Sequence, residues 1–154
     1  MARLARVVVP GVPHHVTQRG KAGQKTFFTD KDYETYLELL AEQAKAAGTQ
    51  VLAYCLMPNH VHMILVPRDG DGLRRALAET HRRYARLVHA RRSRVGQLWH
   101  ERFHSFPLDS TWLLAAIRHI ELNPVRSKFV RKPRDWRWSS AKARITKRDD
   151  GLVR

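Results

Sequence analysis

A single cysteine, Cys55, stands in 154 residues, which excludes a disulfide scaffold. It lies in the apolar run Val51 to Met57 and reads as a reduced core thiol of an intracellular protein. Glycine and proline are sparse, 8 and 7, so collagen-like and low-complexity chains are excluded as well. No apolar run approaches the roughly 20 residues that a membrane-spanning helix needs. The opening stretch from Met1 to Pro10 is too short for a signal peptide, and a soluble cytoplasmic protein is expected. What is present, 43% hydrophobic residues, suffices for one core and leaves no room for two ordinary domains. One domain is therefore expected over 1–154, with its core at about 12–125 and a basic tail over 126–154.

Acidic residues are the other scarcity: 14 Asp and Glu against 29 Lys and Arg, a net charge of +15. The imbalance is uneven along the chain. Residues 1–73 carry 8 basic and 7 acidic side chains, whereas residues 74–154 carry 21 and 7. A neutral half followed by a strongly cationic one points to a polyanion, and nucleic acid is the simplest. An anionic membrane surface competes, but no segment pairs a basic face with an exposed Trp/Phe face.

Periodicity gives the order of elements. His14 to Gln18 reads as a short strand, followed by the turn Gly20-Lys21-Ala22-Gly23. Asp30 is the expected cap of a helix whose stripe is Tyr33, Tyr36, Leu37, Leu40, Ala44 and Ala47, stopped by Gly48. Gln50 to Met57 and His60 to Val66 read as strands joined by Pro58-Asn59. Gly70-Asp71-Gly72 opens a long helix that presents Leu73, Ala76, Leu77, Thr80, Tyr84, Leu87 and Val88 on one side. A short strand follows near Phe103 to Pro107, and Asp109 or Ser110 caps a helix over Thr111 to Asn123, ended with the help of Pro124. The order βαββαβ predicts an α+β protein with a ferredoxin-like core and an antiparallel sheet, extended by a C-terminal helix and a basic tail.

Within this frame Met57-Pro58-Asn59-His60-Val61-His62 stands out. Residues two apart on a strand share a face, so His60 and His62 offer two imidazoles to one ion at the start of an apolar strand. A third donor is needed. Asn123 lies at the border of the stripe Leu113, Ala116, Ile117 and Ile120, with His119 one turn earlier on the same border. An Asn before Pro is also a common helix-ending residue, and at this level both readings stand.

Several ordered blocks then coincide with a known pattern: Pro13-His14-His15-Val16-Thr17-Gln18-Arg19-Gly20, Phe27-Phe28 with Asp32, Ala53 through His62, Gly96-Gln97-Leu98-Trp99, Arg102-Phe103, Glu121-Leu122-Asn123-Pro124-Val125-Arg126 and Trp138-Ser139-Ser140. In these the sequence resembles the single-tyrosine HUH transposases, and among them the REP-associated tyrosine transposases. The resemblance implies a ferredoxin-like core and cleavage of single-stranded DNA beside a hairpin. It implies a divalent metal, Mg or Mn, held by His60 and His62 with Asn123 as third ligand. In that family the residue four before the third ligand is a tyrosine that attacks the scissile phosphate; here it is His119. His119 could be a nucleophile, a further ligand, the mark of a protein that binds DNA without cutting, or an introduced substitution. Tyr84 falls on a packing stripe, and Tyr33, Tyr36 and Tyr54 have no separate claim to the role.

The cations expected on DNA are Arg3, Arg6 and Arg19, the helix residues Arg74, Arg75, Arg82, Arg83, Arg86, Arg91 and Arg92, then Arg102, Arg126, Lys128, Arg131 and Lys132. Trp138 is expected to pack the tail, and Trp136 is open to base stacking. The leading expectation is a metal-dependent transposase that nicks and rejoins single-stranded DNA at hairpin-forming repeats, nucleoid-associated, as a monomer or homodimer, the monomer preferred. A cleavage-deficient hairpin-binding relative is the alternative. A structural RNA-binding protein explains the charge but not the histidines, and a small-substrate metallohydrolase explains the histidines but not the charge.

Overall fold

The structure, a computed structural model, describes residues 7–93 and 96–153. Four strands, β1 (His14–Arg19), β2 (Gln50–Met57), β3 (His60–Val66) and β4 (His104–Pro107), form one sheet in the order β2-β3-β1-β4. Every neighbouring pair is antiparallel. With α1 (Asp30–Ala47) between β1 and β2, and α2 (Gly72–Arg92) between β3 and β4, this is the ferredoxin-like arrangement. Helices α3 (Ser110–Glu121), α4 (Asn123–Arg126) and α5 (Ala141–Thr146) follow.

Alternation along the strands decides what each face carries. Val16 of β1, Tyr54 and Leu56 of β2, and Val61, Met63 and Leu65 of β3 point to one side. There α1 and α2 cover them with Tyr36, Leu40, Leu73, Leu77 and Tyr84, all fully buried. Phe27 ties the aromatic part together, stacked on Tyr33 at 4.5 Å and edge-on to Tyr36 at 5.5 Å. The opposite face carries Ala53, Cys55 and Met57 of β2 with Ile64 of β3, and Ile117 and Ile120 of α3 cover them. Helix α3 covers the β2 side of this face only, and its far edge, with Phe106, is exposed.

The helix ends differ from expectation in instructive ways. Thr29, not Asp30, caps α1: its hydroxyl accepts from Asp32 N while the Asp32 carboxylate accepts from Thr29 N, a reciprocal box. Gly48 ends α1 in the left-handed region, as expected of a C-terminal glycine. On α2, Leu87 is 41% exposed and outside the core, and His81 takes the position on the buried stripe between Leu77 and Tyr84. Helix α3 ends at Glu121 rather than Asn123; Leu122 links it to α4, where Pro124 sits in the first turn and its missing N–H costs nothing.

The segment after Arg126 is packed. Residues 138–140 lie along β2, with Leu56 N donating to Trp138 O and Ser140 N to Tyr54 O. Trp138 stacks on Tyr33 at 4.8 Å, as expected of a packing residue. Trp136 also packs, its indole N–H donating to Leu56 O at 2.9 Å beside the Phe129 ring.

Candidate functional site

The corner that holds His60 is built from the backbone outward. Pro58-Asn59 turns the chain from β2 into β3, and its carbonyls are fully used: Gly20 N donates to Asn59 O, and Thr26 N and Phe27 N donate to Pro58 O. Gly20 lets the chain fold back on itself here, because a Cβ there would lie 2.2 Å from Gln24 O and 2.9 Å from Thr26 Cγ2. On the other side Lys21 N donates to Leu98 O, and His100 N to Arg19 O. Three segments distant in sequence are thus clamped around the first residue of β3.

From this base His60 and His62 project to the face that α3 only partly covers, with ring centroids 4.8 Å apart and planes nearly perpendicular. The Nδ1 of His60 lies 2.7 Å from Asn59 Oδ1, which fixes that nitrogen as the N–H donor and leaves Nε2 as the lone-pair atom. Asn123 reaches it: its Nδ2 is 3.4 Å from His60 Nε2. The carboxamide is aimed from the α3–α4 junction, which a buried polar cluster fixes. Glu121 accepts from the Ser140 hydroxyl and from Arg144 Nε at 3.1 Å, and Ser140 is hydrogen-bonded to Tyr54 of β2.

His119 lies on the exposed side of α3, one turn before Asn123. Its carbonyl, in the last turn where helix carbonyls lack amide partners, accepts from the Arg126 guanidinium. A residue that the sequence reading did not single out completes the group. His15 of β1 stacks on His62 at 5.5 Å, with Nε2 3.4 Å from His62 Nδ1. The signal was the alternation His15, Thr17, Arg19 on a strand whose other face is His14, Val16, Gln18. Burial pushes the His62 imidazole down to about 3, helped by the neighbouring His60, His15 and His119 rings and by Arg19. Burial also lowers His60, with a further contribution from Arg19, and lowers His15, with one from His119. The imidazoles of this corner are therefore neutral at physiological pH, with lone pairs available. Arg19, opposite His60 in the strand pairing, lines a cleft of about 350 Å³ with Gly20, Ala22, Gly23, Asn59, His60 and His100.

Two imidazoles and a carboxamide are chemically suited to a divalent cation, since each is a neutral nitrogen or oxygen donor and the amide can turn its oxygen inward. Among the described residues no group of three His, Cys, Asp or Glu side chains converges as a metal cluster. Among the described residues no carboxylate lines the cleft beside His60.

The structure does not bring the α2 arginines to this corner, because α2 covers the other face of the sheet. Of the cations expected on DNA, Arg19 lines the cleft beside His60, and Arg126 reaches the His119 carbonyl at the end of α3. Arg91 is paired with the buried Asp32 at 2.5 Å and with Thr35 at 2.9 Å, which ties α2 to α1. Arg92 lies over the Phe28 ring, Arg75 and Arg83 reach towards α1, Arg74 pairs with Asp71 just before α2, and Arg82 pairs with Glu79 on its own helix. Arg86, Lys128, Arg131 and Lys132 are exposed; Arg102 lines a groove on the α2 side; Arg3 and Arg6 lie outside the described residues.

No tyrosine is available at the corner. Tyr36 and Tyr84 are fully buried, their hydroxyls bonded to His81 and to Thr26 O. Tyr54 donates to Asp150, Tyr33 stacks on Trp138, and burial raises all four phenols, Tyr33 to about 12.

Residues 9–122 match the protein family described as IS200-like transposases. The chain belongs to that family. Two solved structures share the fold of this IS200-like transposase. One is described as a REP-associated tyrosine transposase bound to a REP hairpin, with a TM-score of 0.74, 17% identity, and coverage of 100% of this chain and 89% of that one. The other is described as a candidate transposase from Deinococcus radiodurans R1, with a TM-score of 0.53, 19% identity, and coverage of 78% of this chain and 96% of that one. No curated protein sequence matches the chain significantly. Among the described residues of the transposase no helix is long and apolar enough to cross a membrane.

Proposed function

We propose that this transposase acts on single-stranded DNA at hairpin-forming repeats, and that His60, His62 and Asn123 hold a divalent metal, Mg or Mn, against the scissile phosphate. The single observation that carries the reading is the approach of Asn123 to His60 Nε2 on an open face, with His119 one turn before it. The hairpin substrate rests on the likeness in fold to the protein bound to a REP hairpin. A metal bound there supplies charge neutralisation on the phosphoryl oxygens.

The rest falls to the chain's own residues. His60 and His62 stay neutral through burial and keep their lone pairs. Asn59 fixes the tautomer of His60, and the Glu121–Ser140–Arg144 cluster fixes the junction that carries Asn123. Arg19 and Arg126 supply positive charge for the DNA backbone. With only neutral protein donors at the corner, the positive charge of a bound metal would be met by the DNA phosphate, and each would then favour binding of the other. His119 is the side chain at the position of attack. A ring nitrogen forming a bond to phosphorus, as the bond from phosphorus to the leaving sugar oxygen breaks, gives a phosphoramidate in place of a phosphotyrosine.

A second reading has its own support: with all four tyrosines buried and raised, no phenol can serve as nucleophile, so a chain that binds hairpins without cutting them fits the same corner. Labelled hairpin DNA with Mn²⁺ separates the two. Cleavage by the chain as it stands, reduced roughly a hundredfold or more in His62→Ala, supports the enzyme. Cleavage and covalent attachment only in His119→Tyr supports the binding protein. Hairpin DNA that neither form binds overturns both.

A further inference from the structure

The two neighbouring residues at the end of β1 look to opposite sides of the sheet. Arg19 faces the histidine corner; Gln18 faces α2 and is only 3% exposed. The Gln18 amide donates from Nε2 to Glu101 O at 3.2 Å, which fixes the orientation of the carboxamide, because the reverse would set two oxygens against each other. Its Oε1 is then left buried with no hydrogen-bond partner. A buried orphan acceptor is rare and costly in a folded protein, and it calls for a donor.

Gln18 lines a groove of about 580 Å³ between α2 and the segment after it. That volume lies within the roughly 300–1,000 Å³ of small-molecule pockets. On the helix side the wall is kept low by Ala78 and Ala85; on the other side the core residues Leu98, Trp99 and Phe103 show the groove only their edges, at 3%, 8% and 6% exposure. Arg74, paired with Asp71, Arg82, paired with Glu79, and Arg102 stand around it with Glu101, and residues 74–154 as a whole carry 21 basic against 7 acidic side chains, which favours a polyanion on this side. Residues 98–102 form the partition: His100 lines the histidine cleft, while Leu98, Trp99, Glu101 and Arg102 line this groove.

We propose that the groove takes up one unpaired base carrying an exocyclic amino group (adenine, cytosine or guanine) from the same DNA strand whose phosphate reaches His60 and His62, the strand crossing the 98–102 partition. The amino group donates to Gln18 Oε1, the ring meets the edges of Trp99 and Phe103 that reach the groove, and the arginines meet the flanking phosphates. Thymine is disfavoured, since it presents carbonyl oxygens on both sides of its one N–H. This inference rests on the single-stranded DNA reading above and adds to it a base-reading site on the opposite face.

Fluorescence anisotropy with labelled single-stranded decamers of dA, dC and dT at one salt concentration tests it. The chain is expected to bind dA and dC more tightly than dT by roughly three- to tenfold, the worth of one neutral hydrogen bond. Gln18→Met, which keeps the length and removes the acceptor, is expected to erase that difference and leave the salt dependence unchanged. Ala78→Phe, on the exposed surface of α2, narrows the groove without touching the core and is expected to bring dA and dC down to the level of dT; it covers the case in which Gln18→Met does not fold. Equal binding of all three by the unaltered chain, or a preference that survives both substitutions, overturns the base site alone. No binding of any decamer overturns the single-stranded DNA reading with it.

Discussion

The two faces of the sheet are made by alternate residues of the same four strands, yet they do opposite work. The face under α1 and α2 is closed by an aromatic cluster, Phe27, Tyr33, Tyr36, Tyr84 and Trp99, in which the Tyr36 and Tyr84 hydroxyls and the Trp99 indole N–H are bonded inside the protein. The face under α3 is closed only over β2 and the end of β3, and beside that lid it carries His15, His60 and His62 partly open to solvent. The difference shows why a tyrosine cannot simply be borrowed for phosphoryl transfer: every one is committed to the closed side or to the packing of the C-terminal segment. Stability and chemistry are separated by the parity of a residue along a strand.

Truncation on each side should separate them most widely. Tyr84→Ala removes a fully buried ring and is expected to cost about 3–5 kcal/mol in urea unfolding. Phe106→Ala, on the exposed edge of the histidine face, is expected to change stability by less than about 0.5 kcal/mol. A large loss from Phe106→Ala would mean that this face is covered in solution, and the comparison would break.

The joint between α1 and α2 comes next. Arg91→Ala leaves the Asp32 carboxylate buried, still accepting from Phe28 N and Thr29 N but without its cation. Because Arg91 itself is partly exposed, the expected loss is moderate, about 1–2 kcal/mol by denaturant titration. Binding to DNA should be unaltered once folding is corrected for, since this arginine is engaged inside the protein.

Each face also carries one imidazole that burial pushes down to about 3, His81 on the closed side and His62 on the open one. The unfolded chain takes up a proton at each near 6.5, while the native form stays neutral. Stability is therefore complete above pH 6.5 and falls as pH drops from 6.5 towards 3, by one proton per histidine. His81→Phe is expected to reduce the slope of unfolding free energy against pH in this window by about one proton. It should also lower stability at pH 7, since it leaves the Tyr36 hydroxyl with only Met63 Sδ at 4.0 Å. An unchanged slope would show that His81 is charged in the fold.

How far these features could be read beforehand follows from how local they are. The strands β2 and β3, the turn between them and the stop at Gly48 rest on neighbouring residues, and each falls where the pattern puts it. The ferredoxin-like order follows from the same local signals. The approach of Asn123 to His60 was legible only in part: helix phase brought Asn123 to the right border, but the break at Leu122 that aims it depends on Glu121 meeting Ser140. Polar pairs of that kind leave no periodic trace. His81 had a trace, spaced four after Leu77 and three before Tyr84, but a histidine reads as polar. The side of the sheet taken by the α2 arginines was also legible, since Val61, Met63 and Leu65 must face the helices and so turn His60 and His62 away.

The smallest effects test where the strand of DNA runs. With Arg19 beside His60, Arg126 at the end of α3 and Arg82 at the groove on the other face, each phosphate contact releases close to one counterion, and removing it should lower the slope of log affinity against log salt by about one. Arg19→Ala and Arg126→Ala are each expected to do this with hairpin DNA, while weakening all sequences alike. If only these two change the slope, the DNA stays on the histidine face. If Arg82→Ala, free of any role in joining the helices, changes it by a similar amount, the strand passes over the 98–102 partition, and the two faces that differ in packing are joined by one substrate.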